Sequence, residues 1–414
     1  MIGRRSPMGL SACVVAALAA LAPLVQAGGS VRQTSDVRAL WVTRHSLGSP
    51  QAVADLVRAA RGAGFNTLLV QVRGRGDAYY SSGLEPRAVE LAAQPAFDPL
   101  GDAVARGHEA GMQVHAWVVA NLVSSAAELP AAREHLVYRQ PDWLMVPRAL
   151  AAEMLAVDSR SPEYLGRLSR WTRANSDQVE GLYVSPAHPG AATHLAAVVS
   201  EIVERYDVDG VHLDYIRYPS DAFDYSRGAL EQFKAWLQPL MTAEERAHAD
   251  AREALDPLAY PNLYPGRWGA FRRSRLTAMV MRVRTAVRAA RPDALLSVAV
   301  VPEMRVAESA KFQDWRTWLD QSLVDIVCPM AYTTDAAEFR AQIAEAQGFA
   351  AGRPVWAGVG AYRLTPDQTV AHIDAARRLG VPGVILFSYD ALVSPPNSAS
   401  TLAELGRAAF GGSN

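Results

Sequence analysis

The run Val208-Asp209-Gly210-Val211-His212-Leu213-Asp214-Tyr215-Ile216-Arg217-Tyr218-Pro219 holds the residue types that glycosidic bond cleavage requires. Its apolar start reads as a short strand, in which side chains two apart share a face. His212 and Asp214 then point one way, and Val211 and Leu213 point the other, toward a covering helix. Tyr215, Arg217 and Tyr218 follow, and Pro219 stops the strand. A carboxylate ending a buried strand among tyrosines and an arginine suits sugar chemistry at the mouth of a barrel. Taken alone, such an aspartate also serves as a turn cap or as a partner for Arg217, and His212 as a core residue.

Glycoside cleavage generally uses two carboxyl groups, one ionised and one protonated. Val300-Val301-Pro302-Glu303 ends the next strand-like segment and brings Glu303 to the matching rim. Adjacent strands lie about 4.8 Å apart, so the two carboxyl groups could reach the roughly 5–5.5 Å separation of a retaining enzyme. The expectation is Asp214 as nucleophile and Glu303 as general acid/base, an exposed loop glutamate being the plainer account of Glu303. Asp77, among Arg73, Arg75, Tyr79 and Tyr80, ranks next as an acid, ahead of Asp158, Asp221 and Asp335.

Aromatic residues recur at strand ends, and sugar rings present C–H faces that stack on aromatic planes. Tyr80, Trp117, Tyr215, Tyr332, Trp356 and Tyr389 are therefore expected to line a glycan cleft. Arg73, Asp77, His115, Asn121, His212 and Arg217 are the expected polar contacts. No metal or other cofactor is expected: the nine histidines form neither H-x-H nor H-E-x-x-H. A serine hydrolase lacks its G-x-S-x-G elbow.

Such groups need a scaffold, and strand-like and helix-like segments alternate from Arg38 onward. Strands are expected at 38–43, 66–72, 113–119, 209–214, 294–301, 324–328, 354–359 and 383–388, with helices between them. Eight such units predict an α/β chain, a (β/α)8 TIM barrel with long loops on the C-terminal face. The long connections are about 73–97, 120–190 and 217–267, the last read as an insertion within a single domain, 28–414. Arg73-Gly74-Arg75-Gly76 lacks the spacing of a dinucleotide-binding turn, so an open nucleotide-binding sheet is the weaker reading. The arginines between 272 and 291 share helical spacing with Trp268, Phe271, Leu276 and Met279, as on the solvated face of an amphipathic helix.

Forty-one basic residues against 42 acidic ones leave a formal charge of -1, which gives no footprint for nucleic acid. Arg4 and Arg5 precede an apolar run from Met8 to Val25, and Val25-Gln26-Ala27 supplies a cleavage site. This predicts a signal peptide, 1–27, and export to the periplasm or medium. Cleavage there removes Cys13 and leaves Cys328, so no internal disulfide is expected. No membrane span is expected in the mature chain.

Several segments together resemble the glycosyl-hydrolase-like family ten, exported bacterial barrel proteins tied to cell-envelope glycans. They are Arg38-Ala39-Leu40-Trp41-Val42, Gly64-Phe65-Asn66-Thr67 with Gln71-Val72-Arg73, and Asp98-Pro99-Leu100. Val114-His115-Ala116-Trp117, the run from Tyr206 to Asp214, Pro329-Met330-Ala331-Tyr332 and Phe387-Ser388-Tyr389 complete the set. The resemblance implies a glycosidase acting on peptidoglycan-type amino-sugar chains, with Asp214 as its catalytic carboxylate. Glu303 falls in no motif of that family. In the chitinase-type frame D-x-x-D-x-D-x-E, Ile216 takes the slot of the general acid and has no proton to give. The expected function is thus a glycoside hydrolase cleaving β-linked envelope glycans with retention. A non-catalytic glycan-binding protein on a degenerate barrel is the alternative.

Overall fold

The computed structural model describes residues 36–350 and 352–411; the expected leader, Cys13 and the cleavage site at Ala27 lie outside them. Eight parallel strands close into a barrel in chain order. They are β1 (Val37–Val42), β2 (Thr67–Arg73), β3 (Gln113–Val119), β4 (Gly210–Asp214), β5 (Leu295–Val300), β6 (Ile326–Ala331), β7 (Trp356–Val359) and β8 (Gly383–Phe387). Val37 opposite Gly383 and Trp41 opposite Phe387 seal β1 to β8. Each strand is followed by helix, the arrangement of a (β/α)8 barrel.

Strand parity sets what faces where. Leu40 and Val42, Val114 and Val118, Val211 and Leu213 face outward into the main core, where the helices cover them. Ala39, Trp41, Leu69, Trp117, Cys328 and Ile385 fill the barrel interior. Such large inward groups need small neighbours. A Cβ on Gly383 would lie 2.5 Å from Trp356, and one on Gly210 would lie 2.5 Å from the His115 ring. Both glycines make room for an interior ring.

The helices start where the sequence signals them. Ser49-Pro50, Asp98-Pro99, Ser161-Pro162 and Thr365-Pro366 each pair a side-chain cap with a proline in the first turn. The helix Pro265–Ala290 buries Trp268, Phe271, Leu276 and Met279, as their spacing predicts. Arg272 departs from the solvated face, lying 5% exposed with its guanidinium 3.8 Å from the Phe312 ring centroid. Of the long connections, 120–190 builds an apolar cluster around Leu144, Leu168 and Val184. The 217–267 connection folds as three helices, Arg227–Leu237, Ala243–Glu253 and Ala259–Leu263, over Trp268 and Phe271. Among the described residues, no helix is long and apolar enough to cross a membrane.

Candidate active site

Asp214 is the last residue of β4 and turns into the barrel mouth, 8% exposed. It lines a cavity of about 310 Å³ whose floor follows from strand parity. The last inward residue of β1, β4, β5, β6 and β8 is Trp41, Asp214, Ala299, Met330 and Phe387 respectively, and these line it together with Gln71 of β2 and Trp117 of β3, each two residues before its strand's end. Thr43, Tyr215, Arg217 and Tyr332 complete the wall. Asp214 carries the sole carboxyl group among these lining residues.

After Asp214 the chain turns sharply, with Tyr215 in the left-handed region at φ 50°. A tyrosine rarely adopts that conformation, and such strain persists where surrounding contacts enforce it. Here the turn lets the Tyr215 N–H donate to Asp214 Oδ1 at 2.7 Å. Asn121 braces the turn: its N–H donates to the Tyr215 carbonyl at 3.3 Å and its Nδ2 to the Arg217 carbonyl at 3.2 Å. Arg217 lies over the Tyr215 ring at 4.5 Å and pairs with Glu180 at 3.0 Å, while the Tyr183 hydroxyl donates to Glu180 at 2.7 Å.

Burial pushes the Asp214 carboxyl above the ordinary aspartate range. Arg217, the Tyr215 N–H and the nearby Trp117 indole pull it back without cancelling that effect. The Trp117 N–H itself makes no hydrogen bond of ordinary geometry, although Trp117 is only 3% exposed. Glu180 behaves oppositely. Burial opposes its ionisation, yet Arg217 and Tyr183 hold its carboxyl below the usual range.

Beneath the floor, Trp41 donates its indole N–H to His212 Nε2 at 3.0 Å. Indole only donates, so the proton of neutral His212 sits on Nδ1 and is given to Ser297 Oγ at 2.9 Å. Burial, with His115 adding to it, pushes His212 down to about 3. Trp41 and Trp117 are thereby seated on an uncharged, fully buried imidazole.

Of the residues expected to form the site, the cavity gathers Asp214, Trp117, Tyr215, Arg217 and Tyr332. Glu303 is not among its lining; it precedes the helix Met304–Ala310 and accepts from Gln342 Nε2 at 2.6 Å. Arg73 is 1% exposed and spent internally, with two bonds from Nε and one from Nη2 to Glu85. Its Nη1 donates to the carbonyls of Val119 and Ala120. A register shift between Gln71 and Arg73 breaks the alternation that would have set Arg73 beside Gln71.

Asp77 accepts the Arg75 N–H, and the Tyr80 hydroxyl donates to Glu201 at 3.3 Å. His115 and Trp356 pack together at 5.6 Å inside the barrel. Tyr389 is buried in the outer core, Asn121 supports the turn after β4, and His212 lies under the floor. The residues not anticipated are Thr43, Gln71, Ala299, Met330, Phe387 and Glu180. Trp41, Ala299, Met330 and Phe387 were open to inference besides Asp214, by taking the last inward position of their strands; the same rule gives Arg73 for β2 and Val119 for β3.

A family model described as glycosyl hydrolase-like 10 matches residues 36–362. The chain is 22% identical over 369 residues to the glycosyl hydrolase YngK of Bacillus subtilis (strain 168), covering 80% of this chain and 62% of that protein. It is 23% identical over 301 residues to the glycosyl hydrolase DigH of Escherichia coli (strain K12), covering 68% of this chain and 58% of that protein. The chain thus spans about three fifths of these relatives' length. In structure it is similar to the glycoside hydrolase domain of PgaB (BpsB) from Bordetella bronchiseptica, with a TM-score of 0.61 at 15% identity, over 90% of this chain and 98% of that one. A β-galactosidase from Marinomonas ef1 gives a TM-score of 0.61 at 12% identity, over 90% of this chain and 59% of that one. At these identities the structural likeness speaks for the barrel alone.

Proposed function

The chain belongs to the glycosyl hydrolase-like 10 family, and from that premise we propose that it hydrolyses β-linked amino-sugar glycans of the bacterial envelope, peptidoglycan-type strands, at Asp214. One observation carries the reading: the sole carboxyl group of an aromatic-walled cavity sits at the C-terminal end of a barrel strand. The cavity suits sugar. Tyr332 stacks on Phe387 at 5.5 Å, and half-exposed Tyr362 extends that aromatic wall outward at 6.0 Å from Tyr332.

The raised pKa of Asp214 favours a group that carries a proton to the leaving oxygen over one that attacks as an anion. A two-carboxylate mechanism with Glu303 would require that side chain to leave Gln342 and enter the cavity. That tether also favours the second reading, a barrel that binds glycan without cutting it. Export through a leader at 1–27 would place the protein with its substrate.

The test is incubation of the purified protein with peptide-free cell-wall glycan strands, with products read by mass spectrometry. Shorter strands are expected from the wild type, and a rate about 10²–10⁴-fold lower from Asp214→Asn. Binding without products, at equal affinity in both proteins, supports the non-catalytic reading instead.

A further inference from the structure

The cavity lining supplies one carboxyl group, and the described acids bonded to that lining are already committed. Glu180 is held by Arg217 and Tyr183, and Asp390 accepts from the Thr43 N–H at 2.8 Å and the Ser46 hydroxyl at 2.7 Å. Farther out, Glu85 is held by Arg73 and His194, and Glu303 by Gln342. An acid that protonates the leaving oxygen still needs a nucleophile at the anomeric carbon. Building on the glycosidase reading above, we infer that the nucleophile comes from the substrate: the carbonyl oxygen of a 2-acetamido group on the sugar whose bond is cleaved. The substrate class narrows accordingly to glycans N-acetylated at that sugar.

The bonds balance as follows. The acetamido oxygen forms a bond to C1 while the glycosidic C1–O bond breaks. That bond's electron pair stays on the departing oxygen, which takes the proton of Asp214. The products are a bicyclic oxazolinium ion, ionised Asp214 and the shortened leaving strand. Water then attacks C1 and gives its proton to Asp214, and the C1–acetamide oxygen bond breaks to restore the acetamide. One water is consumed, two inversions give net retention, and the single carboxyl acts first as acid and then as base.

The walls fit an acetamide. Such a group is a methyl joined to one donor and one acceptor, and the cavity joins apolar surface to a few open polar groups. Trp41, Ala299, Met330 and Phe387 offer the apolar surface. Gln71 is 8% exposed; its Oε1 accepts the Arg44 N–H at 3.3 Å and keeps a second lone pair, while its amide nitrogen has no partner among the described residues. The Trp117 indole N–H, on the same wall, makes no hydrogen bond of ordinary geometry in the protein, although it acts on the neighbouring Asp214 carboxyl. An unpaired buried donor is costly, and a bound carbonyl would satisfy it. Gln71 and Trp117 are therefore positioning residues for the acetamide.

The test uses the whole protein and three probes. These are peptide-free N-acetylated strands, the same strands after chemical de-N-acetylation, and the thiazoline analogue of N-acetylglucosamine, which mimics the bicyclic ion. The expected results are cleavage of the acetylated strands, at least a hundredfold loss on the de-N-acetylated ones, and competitive inhibition by the thiazoline. Gln71→Ala should weaken thiazoline binding by calorimetry more than it weakens binding of de-N-acetylated strands. Equal cleavage of both strands, or a glycosyl adduct on any carboxylate with a 2-fluoro glycoside, overturns the inference and leaves the glycosidase reading standing. Cleavage of neither strand overturns both.

Discussion

Replacing Arg73 or Glu85 separates a substrate contact from an internal strut. Both side chains are 1% exposed, and the guanidinium nitrogen meets the carboxylate at 2.6 Å. Removing one partner of a buried pair strands the other charge, which typically costs about 3–5 kcal/mol. The proton equilibrium agrees in size. Burial raises the Glu85 carboxyl, but Arg73 and His194 outweigh burial and bring it to about 2, against an ordinary value of 4.5. That gap corresponds to about 3 kcal/mol at neutral pH. Because the folded value is depressed, the stabilisation is whole above pH 4.5 and is lost as pH falls toward about 2. Glu85→Gln should therefore lower urea-unfolding stability, followed by tryptophan fluorescence, by about 3 kcal/mol from pH 7 to pH 5. The difference from wild type should then narrow in more acid solution. Arg73→Met should match it at pH 7, with KM for glycan strands little changed in the fraction that stays folded. An Arg73→Met protein with wild-type stability and a KM raised tenfold or more would refute the strut and make Arg73 a substrate contact.

Asp214→Asn should be neutral or stabilising at pH 7 despite its loss of activity. A carboxyl raised by burial favours the native state while protonated, and that advantage fades as pH climbs through the raised value; urea midpoints decide it, and a clear destabilisation would count against a desolvated Asp214. His115 and His212, pushed by burial to about 4 and about 3 from 6.5, stay neutral in the fold while the unfolded chain takes up protons. The pair should cost about 4–5 kcal/mol of stability between pH 6.5 and pH 4.5, and an imidazole NMR signal from either residue titrating near 6.5 would contradict it. Trp117→Phe removes a group that lowers the Asp214 pKa. The basic limb of kcat/KM should consequently move to higher pH, and a limb that stays put or moves down speaks against Asp214 as the proton donor.

The barrel was legible because its signals are local and repeated. Each strand is a short apolar run, and helix starts such as Ser49-Pro50 and Thr365-Pro366 announce themselves. The strand bounds for 113–119 agree with β3, and the others shift by no more than about three residues, as frayed ends do. Asp214 and Tyr332 were legible for a related reason: each lies at or just beyond the end of an apolar strand, on the inward side, and Trp117 is an inward aromatic two residues before the end of β3. Arg73 was not, because a bulge is invisible in a residue pattern and its partner Glu85 lies on a loop. His115 and Trp356 follow inward parity too, but they enter the interior at the third residue of β3 and the first of β7, short of the mouth. Parity tells the side of a strand; depth along the barrel axis needs the register between strands.

The long connections acquire a physical purpose from the charges they bring. A lone guanidinium beside Asp214 would hold that carboxyl ionised, since an opposite charge within a few ångströms favours the charged form. Arg217, from the residues just after β4, acts on Asp214 in that direction. Its field is offset by Glu180, delivered from the far end of the connection after β3, and the Tyr183 hydroxyl fixes that carboxylate in place. Arg73, another cation at the end of a strand, is neutralised in the same way by Glu85 from the connection after β2. Burial is the largest influence on Asp214 and its effect is upward; Arg217 opposes it and Glu180 adds to it. Loops of this length thus do more than roof a cleft: the connection after β3 brings the carboxylate that offsets Arg217 beside Asp214.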